Sequence, residues 1–196
     1  MAQTSTTLIS AKSHITSITG TDISLSATSG VYTISATSTV LTGAGKLAVG
    51  DLITVSGSAS NNSTFTVSTV VSTLEITVAE VVTSENADGS STITLDHVGF
   101  VSDKAKGDGY YSQPDGVHTV AYQVANDFNA NATIKMQGTL ATTPTEDDWF
   151  NIANTTFTAD GSTVTSSYNF TGNYVWVRSK TQQLTAGTTN SILLNS

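Results

Sequence analysis

Residues 49–80, VGDLITVSGSASNNSTFTVSTVVSTLEITVAE, contain three short runs rich in β-forming residues and separated by turn signals. The first run extends from Leu52 to Ser56 and is followed by a loop rich in Gly, Ser and Asn. The second run extends from Phe65 to Val71 and the third from Leu74 to Val78, and in both of them side chains alternate with a period of two. That period is typical of strands. We therefore expect a three-stranded antiparallel meander with one apolar face.

Strand patterns of the same kind extend along the rest of the chain and predict an all-β protein. Only two aromatic residues precede position 99, whereas the others lie between Phe100 and Trp176, which favours two domains with different cores. We expect two small antiparallel β-sandwich or barrel-like domains in tandem. The predicted parts are an N-terminal arm at residues 1–10, a Thr- and Val-rich β domain at 11–99, a Gly-rich linker at 100–116 and an aromatic-rich β-sandwich domain at 117–196.

Composition argues against several classes of function. The formal net charge is −8, and the seven basic residues are scattered, so the clustered basic surface of a nucleic-acid-binding protein is absent. The chain has no cysteine, which excludes disulfides, thiolate zinc sites and a cysteine nucleophile. No apolar stretch approaches the length of a membrane helix, and the first residues lack the pattern of a signal peptide. We expect a soluble protein that is made in the cytoplasm, with neither nucleic acid nor membrane as a partner.

Several polar clusters resemble catalytic motifs without matching them. Ser112, Asp115 and His118 are the residue types of a nucleophilic triad, but they lie within seven positions, whereas triads converge from separate elements. The glycine loop from Thr42 to Lys46 lacks the Ser or Thr and the helix that follow a phosphate-binding loop. The three histidines are far apart and are expected to be packing residues. We expect no catalytic residue and no cofactor.

Two acidic clusters have simpler interpretations than metal or sugar chemistry. Asp103, Asp108 and Asp115 stand among glycines, but they lack the spacing of an EF-hand loop, so turn formation is the preferred interpretation and a weak calcium site the alternative. The acidic run from Glu146 to Asp148 could supply the carboxylates of a glycosidase, which, however, face each other from separate elements. A helical turn capped by Thr145 explains this run more simply.

That turn belongs to the segment ATTPTEDDWFNIA, residues 141–153. Trp149, Phe150 and Ile152 follow it and are predicted to pin it to the core of the second domain.

The strand predicted from Asn173 to Lys180 has no face that is clearly meant for water. Tyr174, Trp176 and Arg178 alternate on one face, and valines occupy the other. One interpretation is a central strand that its own domain buries on both sides. The other is an aromatic and arginine patch at a subunit interface or stacked on a sugar ring. Together with Leu8 and Ile9 of the N-terminal arm, these three residues are the candidate interface residues.

Most of the chain resembles structural proteins of tailed bacteriophages, particularly those that infect marine cyanobacteria. The segment GDLITVSGSASNNSTFTVSTVVSTLEITV resembles a β module of phage virion proteins. The segments GVHTVAYQVANDFNANATIKMQGTLATTPTEDDWFNIA and FTGNYVWVRSKTQQLTAGTTNSI are similar to a small β-sandwich of such virion proteins. The resemblance implies a role in the virion and brings no catalytic residues with it.

From this resemblance we expect a non-enzymatic virion protein. The preferred role is a capsid decoration, or cement, protein that stabilises the phage head through contacts between proteins. Its expected partners are the major capsid protein or other virion proteins and further copies of itself, with a trimer favoured. The alternative is a tail, neck or fibre component that carries a receptor- or carbohydrate-binding β module, with Tyr110, Tyr111, Trp149 or Trp176 as stacking platforms.

Overall fold

The structure is a computed structural model that describes residues 5–112, 116–162 and 164–195. The regular structure of these residues is almost entirely β, with two short 3-10 helices at Asp108–Tyr111 and Glu146–Asp148, which confirms the predicted all-β fold. None of their helices has the length and apolar character that crossing a membrane requires. The strands are β1 (Ser5–Ile9), β2 (Lys12–Ser13), β3 (Ile18–Gly20), β4 (Ile23–Thr28), β5 (Val31–Ala36), β6 (Asp51–Ser56), β7 (Thr64–Ser72), β8 (Glu75–Val78), β9 (Ile93–Val101), β10 (Ala105–Lys106), β11 (Val117–Val124), β12 (Thr133–Thr139), β13 (Phe150–Asn151), β14 (Phe157–Thr158), β15 (Thr165–Thr171), β16 (Trp176–Gln182) and β17 (Thr188–Asn195).

The chain divides into two compact units. The first unit comprises residues 15–100, and the second comprises residues 101–196 together with residues 1–14. The second unit is therefore built from both ends of the chain, whereas the sequence suggested two consecutive domains. The expected arm is part of this unit, because β1 pairs antiparallel with β17, which lies at the opposite end of the chain.

The first unit is an antiparallel arrangement of β3 to β9. Neighbouring strands follow the order β4-β5-β8-β7-β6-β9-β3. Apolar side chains from alternate positions form one core, as the period of two predicts. Its fully buried members include Ile23, Leu25, Ile34, Ile53, Ile76 and Leu95.

The predicted meander is present as β6, β7 and β8, which pair antiparallel in that order. Its single apolar face is not continuous. Phe65 and Val67 are buried, but Val71 is 56% exposed, although a period of two would place it on the same face as these two residues. Two register shifts, between Val67 and Thr69 and between Val70 and Ser72, displace the end of β7 from its alternation.

The second unit contains two antiparallel sheets, in line with the β-sandwich that we expected. One has the order β1-β17-β11-β15, with β2 also paired to β17. In the other, β12 lies between β16 and the two short strands β13 and β14, and β10 pairs with the opposite edge of β16. Tyr122 of β11 contacts the ring of Phe157 on β14 and donates a hydrogen bond of 2.8 Å to the carbonyl of Thr155. The apolar sides of the two sheets therefore meet at a buried aromatic core.

Candidate interaction surfaces

Trp176 begins β16 and lies at the centre of the first candidate surface. Its cross-strand neighbours are Lys106 on β10 and Thr139 on β12. The ring is half-buried, and its Nε1 donates a hydrogen bond of 3.0 Å to the carbonyl of Thr142. Both the strand register and this hydrogen bond hold the indole in one position.

Two tyrosines and two lysines surround this ring. The Tyr110 ring lies 4.8 Å from that of Trp176 and 5.2 Å from that of Tyr111, centroid to centroid. The Lys104 Nζ lies 4.5 Å from the Trp176 centroid, and the Lys106 Nζ lies 4.1 Å from the Tyr110 centroid, which are distances of cation–π contacts. We call these five residues, Lys104, Lys106, Tyr110, Tyr111 and Trp176, the lysine–aromatic surface.

The backbone that carries the two tyrosines packs closely against the backbone of residues 174 and 175. The amide of Gly109 donates a hydrogen bond of 2.8 Å to the carbonyl of Tyr174, and that of Gly107 donates one of 3.1 Å to the carbonyl of Val175. A Cβ on Gly107 would lie 2.4 Å from the Tyr174 carbonyl oxygen. The glycines that suggested a flexible boundary are therefore required for close approach of two backbones.

His118 lies in the interior beside the turn at Asp108–Tyr111. It is 1% exposed, its ring stacks on Phe170, and its Nε2 lies 3.3 Å from Asp108 Oδ2. Asp108 Oδ2 also accepts a hydrogen bond of 2.7 Å from the amide of Gly116. This histidine is a buried packing residue, as predicted. Of the other two members of the dismissed triad, Ser112 is exposed and Asp115 lies outside the described residues.

Arg178 is not exposed for a partner but is 4% exposed inside the second unit. Its guanidinium donates hydrogen bonds of 2.8 and 2.7 Å to the two carboxylate oxygens of Glu146, and its Nε donates one of 3.0 Å to Gln137 Oε1. The Trp149 ring lies against it, with its centroid 4.2 Å from Cζ. Arg178 thus anchors the turn that carries Glu146 and Trp149 to the sheet.

The predicted helical turn is present, and its cap has the expected local geometry. Asp148 Oδ2 accepts hydrogen bonds of 2.7 and 2.8 Å from the amide and hydroxyl of Thr145, and these hold the pKa of the Asp148 carboxyl below its usual range. Of the three side chains expected to pin the turn to the core, only Ile152 is buried. Trp149 is half-buried, and Phe150 is 45% exposed.

Tyr174 lies on the opposite side of β16 from Trp176 and Arg178, contrary to the shared face that alternation suggested. A Cβ on Gly138 would lie only 2.6 Å from Cδ1 of the Tyr174 ring, so this ring covers the face to which a side chain at position 138 would point. Gly138 pairs across the strands with the buried Val177, and that face is therefore the Val177 face of β16. Tyr174 precedes Trp176, where β16 starts, so strand alternation does not fix the direction of its side chain.

Tyr174 contributes to a second candidate surface, the apolar patch, made of Leu140, Phe150 and Tyr174. The Tyr174 and Phe150 ring centroids are 5.9 Å apart, and Phe150 pairs across the strands with Gly138. Leu140 follows Gly138 by two positions and is 66% exposed. Leu140 and Phe150 are therefore two exposed apolar side chains near the end of β12, and the half-buried ring of Tyr174 lies beside Phe150.

Leu8 and Ile9, the other two candidate interface residues, are 9% and 8% exposed. They lie on β1, where Ile9 pairs with Ile192 of β17. Both side chains are packed within the second unit.

The first unit uses its carboxylates to hold loops together, which sequence reasoning did not anticipate. Glu85 accepts hydrogen bonds from the Ser58 hydroxyl at 2.6 Å, the Ala59 amide at 2.9 Å and Asn61 Nδ2 at 3.1 Å. These contacts, with the Ser58 hydroxyl first, lower the pKa of Glu85. They tie the segment around residue 85 to the loop after β6, beside an open cleft of about 430 Å³ lined by Gly57, Ser58, Glu85 and Asp88.

Asp22 clamps a second loop of the first unit. Its carboxylate accepts hydrogen bonds from the Thr39 hydroxyl, the Thr39 amide at 2.9 Å and the Ser38 amide at 2.6 Å. These bonds, led by the Thr39 hydroxyl, hold the pKa of Asp22 far below its usual range.

Acid is expected to weaken the first unit through Asp22. Since the pKa of this group is lower in the folded than in the unfolded chain, its stabilising contribution is present above about pH 4 and is lost as the pH falls below that value. In urea titrations at pH 7 and pH 3, the Asp22→Asn variant should be less stable than the wild type at pH 7 and should lose less stability on acidification. An equal loss in both proteins would contradict the clamp.

Within the ranges that the structure describes, no group of three His, Asp or Glu side chains is placed to hold a metal ion. Of the three acidic residues of the alternative calcium site, Asp115 lies outside the described residues. Asp103 is exposed, and Asp108 faces His118 and Gly116. In the run from Glu146 to Asp148, Glu146 accepts hydrogen bonds from Arg178, and Asp148 accepts hydrogen bonds from Thr145.

Comparisons of the chain with models of known protein families, with curated protein sequences and with solved structures find no match.

Proposed function

We propose that this chain is a non-enzymatic structural protein of a bacteriophage virion, and that it decorates and stabilises the head through contacts between proteins. The observation that carries the proposal is the apolar patch, with Leu140 at 66% and Phe150 at 45% exposure near the end of β12. Exposed apolar side chains that lie close together are typical of surfaces that bind another protein. The resemblance of both halves of the chain to phage virion proteins supports the same role.

The way in which the protein uses its polar groups also supports a structural role. Asp22, Glu85 and Asp148 accept hydrogen bonds from the loops that they close, and Glu146 holds Arg178. Each of these four carboxylates therefore stabilises the fold. Rigid loops reduce the entropy that a protein loses on binding, which suits a protein that must hold its partner continuously.

The proposed partners are the major capsid protein or other virion proteins, and further copies of this chain, with a trimer favoured. A stable interface buries on the order of 1,000 Å² or more, so the apolar patch would form the centre of a larger contact. Many copies on one shell add avidity without any chemistry. The proposed location is the capsid surface.

The test of attachment is co-sedimentation of the purified protein with virions that lack it. A Leu140→Asp substitution places a charge in the apolar patch and should weaken binding at least about tenfold, because an unpaired charge would be buried in the contact. The matched control is Val81→Asp in the first unit, where the side chain is 72% exposed, and it should bind as the wild type does. Full binding by Leu140→Asp would reject the apolar patch as the attachment surface.

Electron cryomicroscopy of intact particles tests the location. Density for this chain distributed over the shell is the expected result. Density confined to the tail, the neck or the fibres would reject the decoration role and assign the protein to that apparatus.

A further inference from the structure

The lysine–aromatic surface holds two cations that none of the described carboxylates neutralises. Neither Lys104 nor Lys106 forms an ion pair within the part of the chain that the structure describes, although the protein has fifteen acidic residues. Both ammonium groups lie over aromatic rings, at 4.5 Å from the Trp176 centroid and 4.1 Å from the Tyr110 centroid. A ring face attracts an ammonium group without cancelling its charge, so both cations keep the capacity to pair with an anion.

The rings beside these cations are accessible. Tyr110 is 43% and Tyr111 is 56% exposed, and the two rings meet edge to face at an interplanar angle of 77°. Exposed rings arranged in this way present apolar planes in two directions and also phenolic hydroxyls that exchange hydrogen bonds.

The surface is also fixed before any ligand arrives. Trp176 is held by the carbonyl of Thr142, and the turn that carries the tyrosines is held by backbone hydrogen bonds to residues 174 and 175. Asp108 and His118 support that turn from the interior. A ligand therefore meets a preformed surface and loses less free energy to ordering.

We propose that the lysine–aromatic surface binds an acidic polysaccharide, a polymer of sugar rings that carry carboxylate groups. The C–H face of a pyranose ring packs on Tyr110 or Tyr111, and the carboxylates pair with Lys104 and Lys106. This ligand class uses both components of the surface, since a neutral sugar would leave the lysines without a role. This binding is independent of the proposed attachment through the apolar patch, because the two surfaces share no residue.

The charge distribution favours a carboxylated sugar over a nucleic acid. Aromatic rings with lysines also bind single-stranded nucleic acid, but that class needs a continuous basic track along the phosphate backbone. Here the cations over the exposed rings are two, in a chain with a net charge of −8. Two lysines are enough to pair with the carboxylates of one or two sugar rings, but they do not form such a track.

The experiment titrates the full-length protein with an alginate hexasaccharide, which is a linear uronate, and measures heat and tryptophan fluorescence. We expect saturable binding that weakens with added salt, because the ion pairs are exposed to solvent. The double variant Lys104→Gln/Lys106→Gln should lose about tenfold in affinity or more, and Tyr110→Ala/Tyr111→Ala should lose at least as much. A neutral dextran hexasaccharide should bind the wild type at least about tenfold more weakly than the uronate, because it has no carboxylates to pair with the two lysines.

Two matched controls separate this surface from general effects. Lys46→Gln removes one positive charge from the first unit, and Phe150→Ala removes an exposed ring from the apolar patch. Both should bind the uronate as the wild type does, whereas Phe150→Ala should lose affinity for the virion. Because the substituted lysines are exposed, equal urea midpoints of wild type and lysine variant will show that the fold is retained.

Three outcomes would overturn the proposal. The first is no binding of the uronate by the wild type, and the second is unchanged affinity in the double lysine variant. The third is tighter binding of oligothymidylate or polyglutamate than of the uronate, which would assign the surface to a nucleic acid or to an acidic protein. None of these outcomes bears on virion binding through Leu140, so failure of either proposal is recognised separately.

Discussion

A Gly57→Ala variant should be less stable than the wild type by about 3 kcal/mol, and the loss should be located in the first unit. Gly57 follows β6 with φ +79°, a left-handed conformation that costs a residue with a Cβ about 1 kcal/mol. The larger contribution is steric. A Cβ at this position would lie 2.1 Å from the carbonyl oxygen of Thr92, which is backbone and cannot rotate away.

The first unit provides a matched control for this prediction. Gly30 has the same φ of +79°, but a Cβ there would meet nothing within 4 Å. Gly30→Ala should therefore cost about 1 kcal/mol, the conformational part alone. Urea denaturation followed by circular dichroism measures both losses, and hydrogen exchange over residues 15–100 locates them. Equal losses of stability in the two variants would contradict the steric part of the prediction, because they would show that the backbone around Thr92 moves aside without a measurable loss of stability.

An Arg178→Ala variant should destabilise the second unit by about 3 kcal/mol, because it breaks a largely buried ion pair and leaves Glu146 and Gln137 without their donor. The Glu146 side chain retains 25% exposure, and water can therefore solvate part of the abandoned charge, which keeps the loss from being larger. The Trp149 ring also loses the guanidinium beneath it. Tryptophan fluorescence reports this unit directly, since Trp149 and Trp176 are the two tryptophans of the chain and both belong to it.

Two further variants test whether the stability depends on the hydrogen bonds of Arg178 to Glu146 and Gln137. Arg178→Lys should recover only part of the stability, because an ammonium group cannot bind both oxygens of Glu146 and Gln137 at once. Arg178→Ala combined with Glu146→Ala should cost less than the sum of the single losses, since the double variant buries no unpaired charge. Additive losses would contradict coupling between the two side chains.

The local features of this protein could be predicted from its sequence. The alternation in residues 64–78 predicts strands because side-chain direction in a strand depends only on neighbouring positions. The Thr145 cap is predictable for the same reason, since donor and acceptor are three residues apart. Residue type alone also singled out Tyr110, Tyr111 and Trp176 as candidate stacking platforms, and the two tyrosines are exposed whereas Trp176 is half-buried.

Features that depend on distant partners were not predictable. Residues 100–116 resemble a linker because glycine is permissive, yet Gly107 and Gly109 are present so that Tyr174 can approach closely. Arg178 resembles an interface residue until Glu146, on another element, is seen to neutralise it. Lys104 resembles one of several scattered charges, and only the pairing of β10 with β16 brings its ammonium group over the Trp176 ring.

The sequence by itself therefore determined that the protein is all-β, where the meander lies and how its helical turn is capped, because each of these follows from contacts between residues close in the chain. The tertiary structure alone decided that β1 pairs with β17, that Tyr174 leaves the face of Trp176, and that Lys104 lies over the Trp176 ring. Those outcomes depend on pairing between residues that are far apart in the chain, from Gly138 with Val177 to Ser5 with Asn195. Local periodicity carries no information about which strands pair, since any two strands with free edges can exchange backbone hydrogen bonds.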